Sequence, residues 1–244
     1  VSSAASDVYK RQDRLILIHL RRYPWCTPRG LFIFIKLVAI MENFKGILAE
    51  TPDPLRYSCK DFREYEVYSS ISSLVRKGSK ILDIGCGTGE LLRYLKSEKQ
   101  CSTLGLEPNQ TRTITASLNS ESVLNEHLTY SFAMEHKDSF DHVILADVIE
   151  HIAWPAEILD LVSVLLRDNG SLIVSVPNIA HWSIRLKLLR GLFEYEPCGI
   201  LDATHLRFYT LKSFRQLFAR NRFGLSIQEL VFLSLIHISE PTRR

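Results

Sequence analysis

The run ILDIGCGTGELL, residues 81–92, constrains this chain more than any other feature. A short apolar strand, Lys80–Ile84, runs into three glycines, Gly85, Gly87 and Gly89. A helix with Leu91, Leu92 and Leu95 on one side follows. Glycines at alternate positions let the backbone take positive φ and let a ligand approach with no Cβ in the way. The helix start presents unsatisfied N–H groups toward the same loop. A dinucleotide fingerprint reads GxGxxG/A, but its last place is Glu90 here, and Asp83 stands two residues before the loop. Carboxylates beside a pyrophosphate are electrostatically poor, so the loop suits a ligand that carries positive charge.

The rest of the pattern builds outward from that loop. Apolar spacings of three and four predict a helix over 60–76 with Gly78 as its stop. After the glycine loop come a helix over 90–97 and a second strand over 102–106 that ends at Glu107-Pro108. A helix over 109–120, a third strand over 127–132 and a fourth over 140–146 follow, then a loop over 147–151. A helix over 155–167 has Pro in its first turn, and a turn at Asp168-Asn169-Gly170 leads to a fifth strand over 171–176. The pattern breaks after Pro177 and resumes with a helix over 211–221 and a strand over 225–232. Strands alternating with helices predict an α/β fold, Rossmann-like and doubly wound around a mostly parallel sheet. Glu107, at the end of the second strand, stands where a carboxylate reaches ribose hydroxyls in such folds.

Composition excludes several classes. With 46% hydrophobic and 23% charged residues over 244 positions, the chain is neither disordered nor collagenous. Five cysteines (Cys26, Cys59, Cys86, Cys101, Cys198) show no CxxC pair, so no disulfide framework and no metal site are expected, and reduced thiols in a cytoplasm are the simpler reading. Residues 1–40 are expected to be a non-native or upstream read-through segment, and 234–244 a non-native tail; both ends resemble translated adapter sequence. The apolar run over 31–40 is too short to span a bilayer. The formal charge of +3 belongs to those ends: residues 41–233 hold 21 basic and 24 acidic side chains, which removes the hint of a nucleic-acid partner.

Four stretches, DIGCGTGE (83–90), LGLEPN (104–109), SFDHVILADVIEHI (139–152) and LRDNGSLIVSVPN (166–178), resemble the class I S-adenosylmethionine-dependent methyltransferases. Residues 180–210 are similar to a bacterial subgroup related to ubiquinone-biosynthesis O-methyltransferases and to methyltransferase domains found with cell-surface polysaccharide enzymes. The resemblance implies that Asp83, Gly85, Cys86, Gly87 and Gly89 line the methionine part of S-adenosylmethionine. It implies that Glu107 binds the ribose diol, with Pro108 and Asn109 near the adenine and Asp147 and Val148 near the sulfonium. Members usually carry an acidic residue after the third strand; Met134 or Glu135 takes that place here. The class's sheet ends in an antiparallel hairpin, so a 41–233 domain is expected to lack the last strand, to be a fragment, and to leave an exposed edge.

The implied activity is O-methylation of a small-molecule, glycan or quinone-like acceptor. An NAD-type oxidoreductase is the alternative, against which Glu90 speaks; a non-catalytic cofactor- or partner-binding domain of a larger assembly is another. His151, after the fourth strand, titrates near neutrality and is a candidate proton acceptor, as is His205. His181 and Arg207 are candidate substrate contacts, and for all four the competing reading is a local hydrogen-bond clamp. Cys86 reads as packing rather than as a nucleophile. Trp182, Leu186, Leu189 and Phe193 form a narrow apolar stripe, which reads either as a lid helix packed on the domain or as a surface that touches lipid or a lipid-like acceptor.

Overall fold

Short β-branched strands that are apolar on both faces are satisfied only between two helical layers. That is the arrangement in the computed structural model of this chain, which describes residues 15–22, 62–120, 122–219 and 225–233. The elements are β1 (Leu15–Arg22), α1 (Phe62–Leu74), β2 (Lys80–Ile84), α2 (Glu90–Lys99), β3 (Ser102–Leu106), α3 (Gln110–Asn119), β4 (Val123–Leu124) and α4 (Tyr130–Glu135). They continue with β5 (Phe140–Ala146), a 3₁₀ turn (Ile149–His151), α5 (Pro155–Leu165), β6 (Leu166–Pro177), α6 (Trp182–Leu189), α7 (Leu211–Ala219) and β7 (Leu225–Leu233).

The strand order is β4-β3-β2-β5-β6-β1-β7. Strands β2 to β6 are mutually parallel, and β1 is antiparallel to both neighbours. The chain leaves β2 in one direction for β3 and β4, then returns to the other side for β5 and β6. The crevice outside the carboxyl ends of β2 and β5 is therefore the switch point at which open α/β sheets bind ligands.

Period-two alternation divides the core. Leu82, Ile84, Val143, Leu145, Leu172 and Val174 pack on one face with Leu159, Val162 and Phe214. Ile81, Ile144 and Ile173 point to the other, against Ile71, Val75, Leu91 and Leu95. Each such side chain, fully buried, contributes roughly 1.5–3 kcal/mol before chain entropy is counted.

Three expectations change in the structure. The segment expected as a third strand, 127–132, begins helix α4 instead. Thr129 caps it, its Oγ1 accepting from the Phe132 N–H at 3.2 Å, and Phe132 and Ala133 are buried. The third parallel strand is the two-residue β4, beside β3. The turn at 168–170 falls within the bounds of β6 as an irregularity: the pairing with β5 shifts between Phe140 and His142, and Asn169 takes φ 63°.

No strand follows Leu233 among the described residues. The antiparallel place beside β6 is filled from the other end of the chain, where Ile18 of β1 pairs with Val174 on one side and Leu230 on the other. The outer edge of β6 is thus covered by β1, and β7 is the last strand on that side of the sheet. Residues 31–40 and 234–244 lie outside the described residues.

Candidate active site

All three loop glycines take positive φ: 75° at Gly85, 57° at Gly87 and 79° at Gly89. Their surroundings differ. A Cβ on Gly85 would stand 2.7 Å from Val148 Cγ2, and one on Gly89 would stand 3.0 Å from the Ala116 Cα. These two glycines let the turn after β5 and helix α3 pack against the loop. A Cβ on Gly87 would meet nothing within 4 Å, so this backbone faces open space.

Two buried acids belong to this loop and to the strand end beside it. Glu107 is 3% exposed; its Oε2 accepts from the Gly87 N–H at 3.0 Å and its Oε1 from the Asn109 N–H at 2.9 Å. Burial raises its pKa above the ordinary carboxylate value, against the pull of Arg112 and those two backbone bonds. Asp83 is 2% exposed, and burial together with the charge of Glu107 raises its carboxyl to about 7. Two crowded, buried carboxylates beside open glycine backbone favour a ligand that carries positive charge, and one with a sulfonium and an ammonium group carries it. The residues therefore fit S-adenosylmethionine.

The rest of the loop is held from outside. Asn109 caps α3, its Oδ1 accepting from the Arg112 N–H at 3.1 Å. Asn125, just after β4, donates to the carbonyls of Glu107 and Pro108. Sequence reading passed over Asn125, because a two-residue strand carries no periodicity to mark its end. Met134 and Glu135 lie exposed on α4 rather than after the third parallel strand. Cys86 turns its side chain inward beside Leu92 and Ala116, and burial with the charges of Asp83 and Glu107 pushes its thiol far above the ordinary range. Packing is its side-chain role.

After β5 the chain turns sharply. Asp147 takes φ 53°; its Oδ1 accepts from Ser175 Oγ at 3.0 Å. Desolvation by the surrounding protein raises its carboxyl to about 6, against the pull of the Ser175 hydroxyl. Val148 packs over Gly85 and so joins this turn to the glycine loop.

Beyond Val148 lies a cluster contributed by two distant segments. His151 Nδ1 meets the Thr204 carbonyl at 3.1 Å, and His205 Nδ1 meets the Ile200 carbonyl at 3.1 Å. The two rings contact edge-on at 4.8 Å, and His205 Nε2 lies 4.0 Å from Glu150 Oε1. Glu150 is buried, and neither of its oxygens has a hydrogen-bond partner among the described residues. Burial, then the charges of Asp147 and Asp202, hold its carboxyl well above the ordinary range. The segments are tied by the Glu150 carbonyl, which accepts from the Leu206 and Arg207 N–H groups at 2.9 and 3.0 Å.

The remaining candidates are anchored locally. Both Nε and Nη2 of Arg207 donate to the Ala153 carbonyl. His181 is buried as the cap of α6, its Nδ1 accepting from the Ser183 N–H at 3.4 Å. Trp182, Leu186 and Leu189 of the apolar stripe are exposed on α6, as is Phe193 beyond it, while Ile184 is the buried residue of that helix. Tyr209, missed by sequence reading, has a buried hydroxyl with no partner among the described residues, and burial pushes it up to about 12.

Comparison with known proteins agrees with this geometry. Residues 65–242 match the sequence profile of the family described as methionine biosynthesis protein MetW. The chain is 23% identical over 206 residues to a mitochondrial ubiquinone biosynthesis O-methyltransferase of Dictyostelium discoideum, covering 77% of this chain and 60% of that protein. It is 26% identical over 124 residues to a bifunctional methionine biosynthesis protein MetXA/MetW of Rhodopirellula baltica, covering 48% of this chain and 19% of that one. The chain thus spans less than two thirds of these relatives. Its fold is similar to the crystal structure of a SAM-dependent methyltransferase from Archaeoglobus fulgidus, with TM-score 0.52 at 17% identity over 68% of this chain and 71% of that one. The profile match takes in the glycine loop, both acids that flank it and the His151–His205 cluster, and with it the chain belongs to the MetW family, on the fold of the class I methyltransferases.

Proposed function

We propose that the chain is an S-adenosylmethionine-dependent methyltransferase that O-methylates a small-molecule, glycan or quinone-like acceptor. The observation that carries this reading is the pair Asp83 and Glu107, two buried acids that feel each other's charge, the second bonded to the Gly87 N–H where the glycine backbone faces open space. The names of the ubiquinone O-methyltransferase relatives support the oxygen acceptor.

In this reading Asp83 faces the amino-acid end of the cofactor and Glu107 accepts from its ribose hydroxyls. When bound, the cofactor supplies a methyl group already activated by the sulfonium charge. The protein's task is then alignment and exclusion of water, which are worth several orders of magnitude in rate. Asp147 and Val148 border the reacting end, and the Glu150, His151 and His205 cluster handles the acceptor hydroxyl. The free thiols of Cys86, Cys101 and Cys198 support a cytoplasmic setting. No helix among the described residues is long and apolar enough to cross a membrane.

Isothermal titration with S-adenosylhomocysteine and with NADH tests the assignment. Binding of the first and silence from the second is the expected result; tight NADH binding alone would reverse it. A methyl-transfer assay against extracted lipids and glycans separates an enzyme from a binding domain. The exposed Trp182, Leu186 and Leu189, beside Arg185 and Arg190, favour peripheral contact with lipid. Replacing Trp182 and Leu186 by Ser is expected to reduce co-sedimentation with anionic liposomes severalfold, and an unchanged yield removes the lipid from the reading.

A further inference from the structure

The peptide units around Glu107 are pinned from the side away from the glycine loop. The Glu107 N–H donates to the Leu124 carbonyl at 3.0 Å, and its own carbonyl accepts from Thr113 Oγ1 at 2.8 Å and from Asn125 Nδ2 at 2.9 Å. Asn125 Nδ2 also donates to the Pro108 carbonyl at 3.0 Å and to Thr113 Oγ1 at 3.1 Å. Thr113 is buried, and its hydroxyl shares its proton with the Asn109 carbonyl at 3.0 Å. Two successive carbonyls, those of Glu107 and Pro108, therefore converge on one side-chain nitrogen.

The consequence for the carboxylate runs through a single peptide unit. The Pro108 carbonyl and the Asn109 N–H belong to the same planar trans group, so they point in opposite directions. With the carbonyl held on Asn125, the N–H is aimed at Glu107 Oε1, which accepts from it at 2.9 Å. The Gly87 N–H holds the other oxygen, Oε2, at 3.0 Å. A carboxylate has lone pairs for about four donors, so each oxygen keeps room for one more while its direction is set from both ends.

Asparagine suits this place by its chemistry. A side-chain amide carries two N–H groups on one nitrogen, one for each carbonyl; a hydroxyl carries one proton and a carboxylate none. Asn125 is exposed just past β4, so its bonds shape the 107–109 segment without filling the core. The Asn109 N–H also pulls the Glu107 carboxyl down against the effect of burial, which favours the ionised form.

We propose that Asn125 is a positioning residue for the cofactor: by holding the Pro108 carbonyl it aims the Asn109 N–H at Glu107, and so sets the carboxylate that accepts from the ribose hydroxyls. The ribose rests on the methyltransferase reading; the aiming of the peptide does not.

The test is a double-mutant cycle on the full chain, read by calorimetry with S-adenosylhomocysteine. Asn125→Ala should weaken binding by about tenfold. Asn125→Asp keeps the shape but offers the two carbonyls no donor, and should lose at least as much. On a Glu107→Ala background, Asn125→Ala should change the affinity by less than about twofold, because the group it positions is gone. The urea midpoint of Asn125→Ala should stay near that of the wild type, as for an exposed side chain. A loss of equal size in both backgrounds, wild-type affinity in Asn125→Ala, or a midpoint that falls in step with the affinity would overturn the proposal. Hydrogen exchange at the Asn109 amide, measured without ligand, keeps the two readings apart. Asn125→Ala should speed it by about tenfold or more. An unchanged rate discards the positioning role whatever the ligand does. A faster rate, with no S-adenosylhomocysteine bound by the wild type, discards the methyltransferase reading and the ribose with it.

Discussion

Glu107→Ala is expected to weaken S-adenosylhomocysteine binding by about 10²–10³-fold while leaving the urea midpoint of the ligand-free protein nearly unchanged. The loss has two sources. Two hydrogen bonds from a ribose diol to an ionised carboxylate go, and bonds to a charged group are worth about 1.5–3 kcal/mol each. Glu107 also holds the N–H groups of Gly87 and Asn109, so the loop loses its template. Stability moves little because the carboxylate is itself costly where it stands: burial raises its pKa, and its charge burdens Asp83. Removing it costs two backbone bonds and relieves one buried charge, terms of opposite sign. Binding isotherms and urea melts on the same protein check the divergence. A midpoint that falls in step with the affinity would make Glu107 a structural residue rather than a ligand-binding one.

The reach of sequence reasoning follows the range of the physical signal. The glycine loop was legible because positive φ at Gly85 and Gly89, with packing that leaves no room for a Cβ, is a local demand that glycine meets best. Strands β2 and β5 were legible because burial on both faces writes a mostly apolar run. The third parallel strand was not, because Val123–Leu124 is too short to show a period, while the apolar residues that follow belong to a capped helix. Nor does anything local in Leu15–Arg22 tell which strand it joins; its place between β6 and β7 is decided by pairing partners 150 or more residues away. Asp83 and Glu107 could be paired from the sequence because adjacent parallel strands bring their ends together. Glu150 and His205 could not, since their meeting depends on an irregular segment folding back onto the 3₁₀ turn.

Affinity for S-adenosylhomocysteine should rise with pH by up to about tenfold per unit between pH 5.5 and 7, then level off. Asp83 is the cause. In the ligand-free protein its carboxyl titrates at about 7 instead of its ordinary 3.8, chiefly through burial and secondarily through Glu107. Native protein therefore holds this proton where the unfolded chain has lost it. Below about pH 4 both states are protonated and Asp83 makes no difference. As pH rises to 7, Asp83 lowers the stability of the ligand-free protein, by up to about 4 kcal/mol, and beyond 7 the loss is complete. A ligand ammonium group beside Asp83 reverses the preference, since it favours the ionised carboxylate. Binding at pH 6 must then expel a proton, close to one per ligand, and binding at pH 7.5 much less than one. Calorimetry in two buffers of different ionisation enthalpy counts that proton directly. Asp83→Asn, of the same shape and without the titration, should bind more weakly at neutral pH, release no proton at pH 6 and show a flat profile. A wild-type affinity independent of pH, or a variant that keeps the slope, would move the proton to another group and take Asp83 out of contact with the ligand's charge.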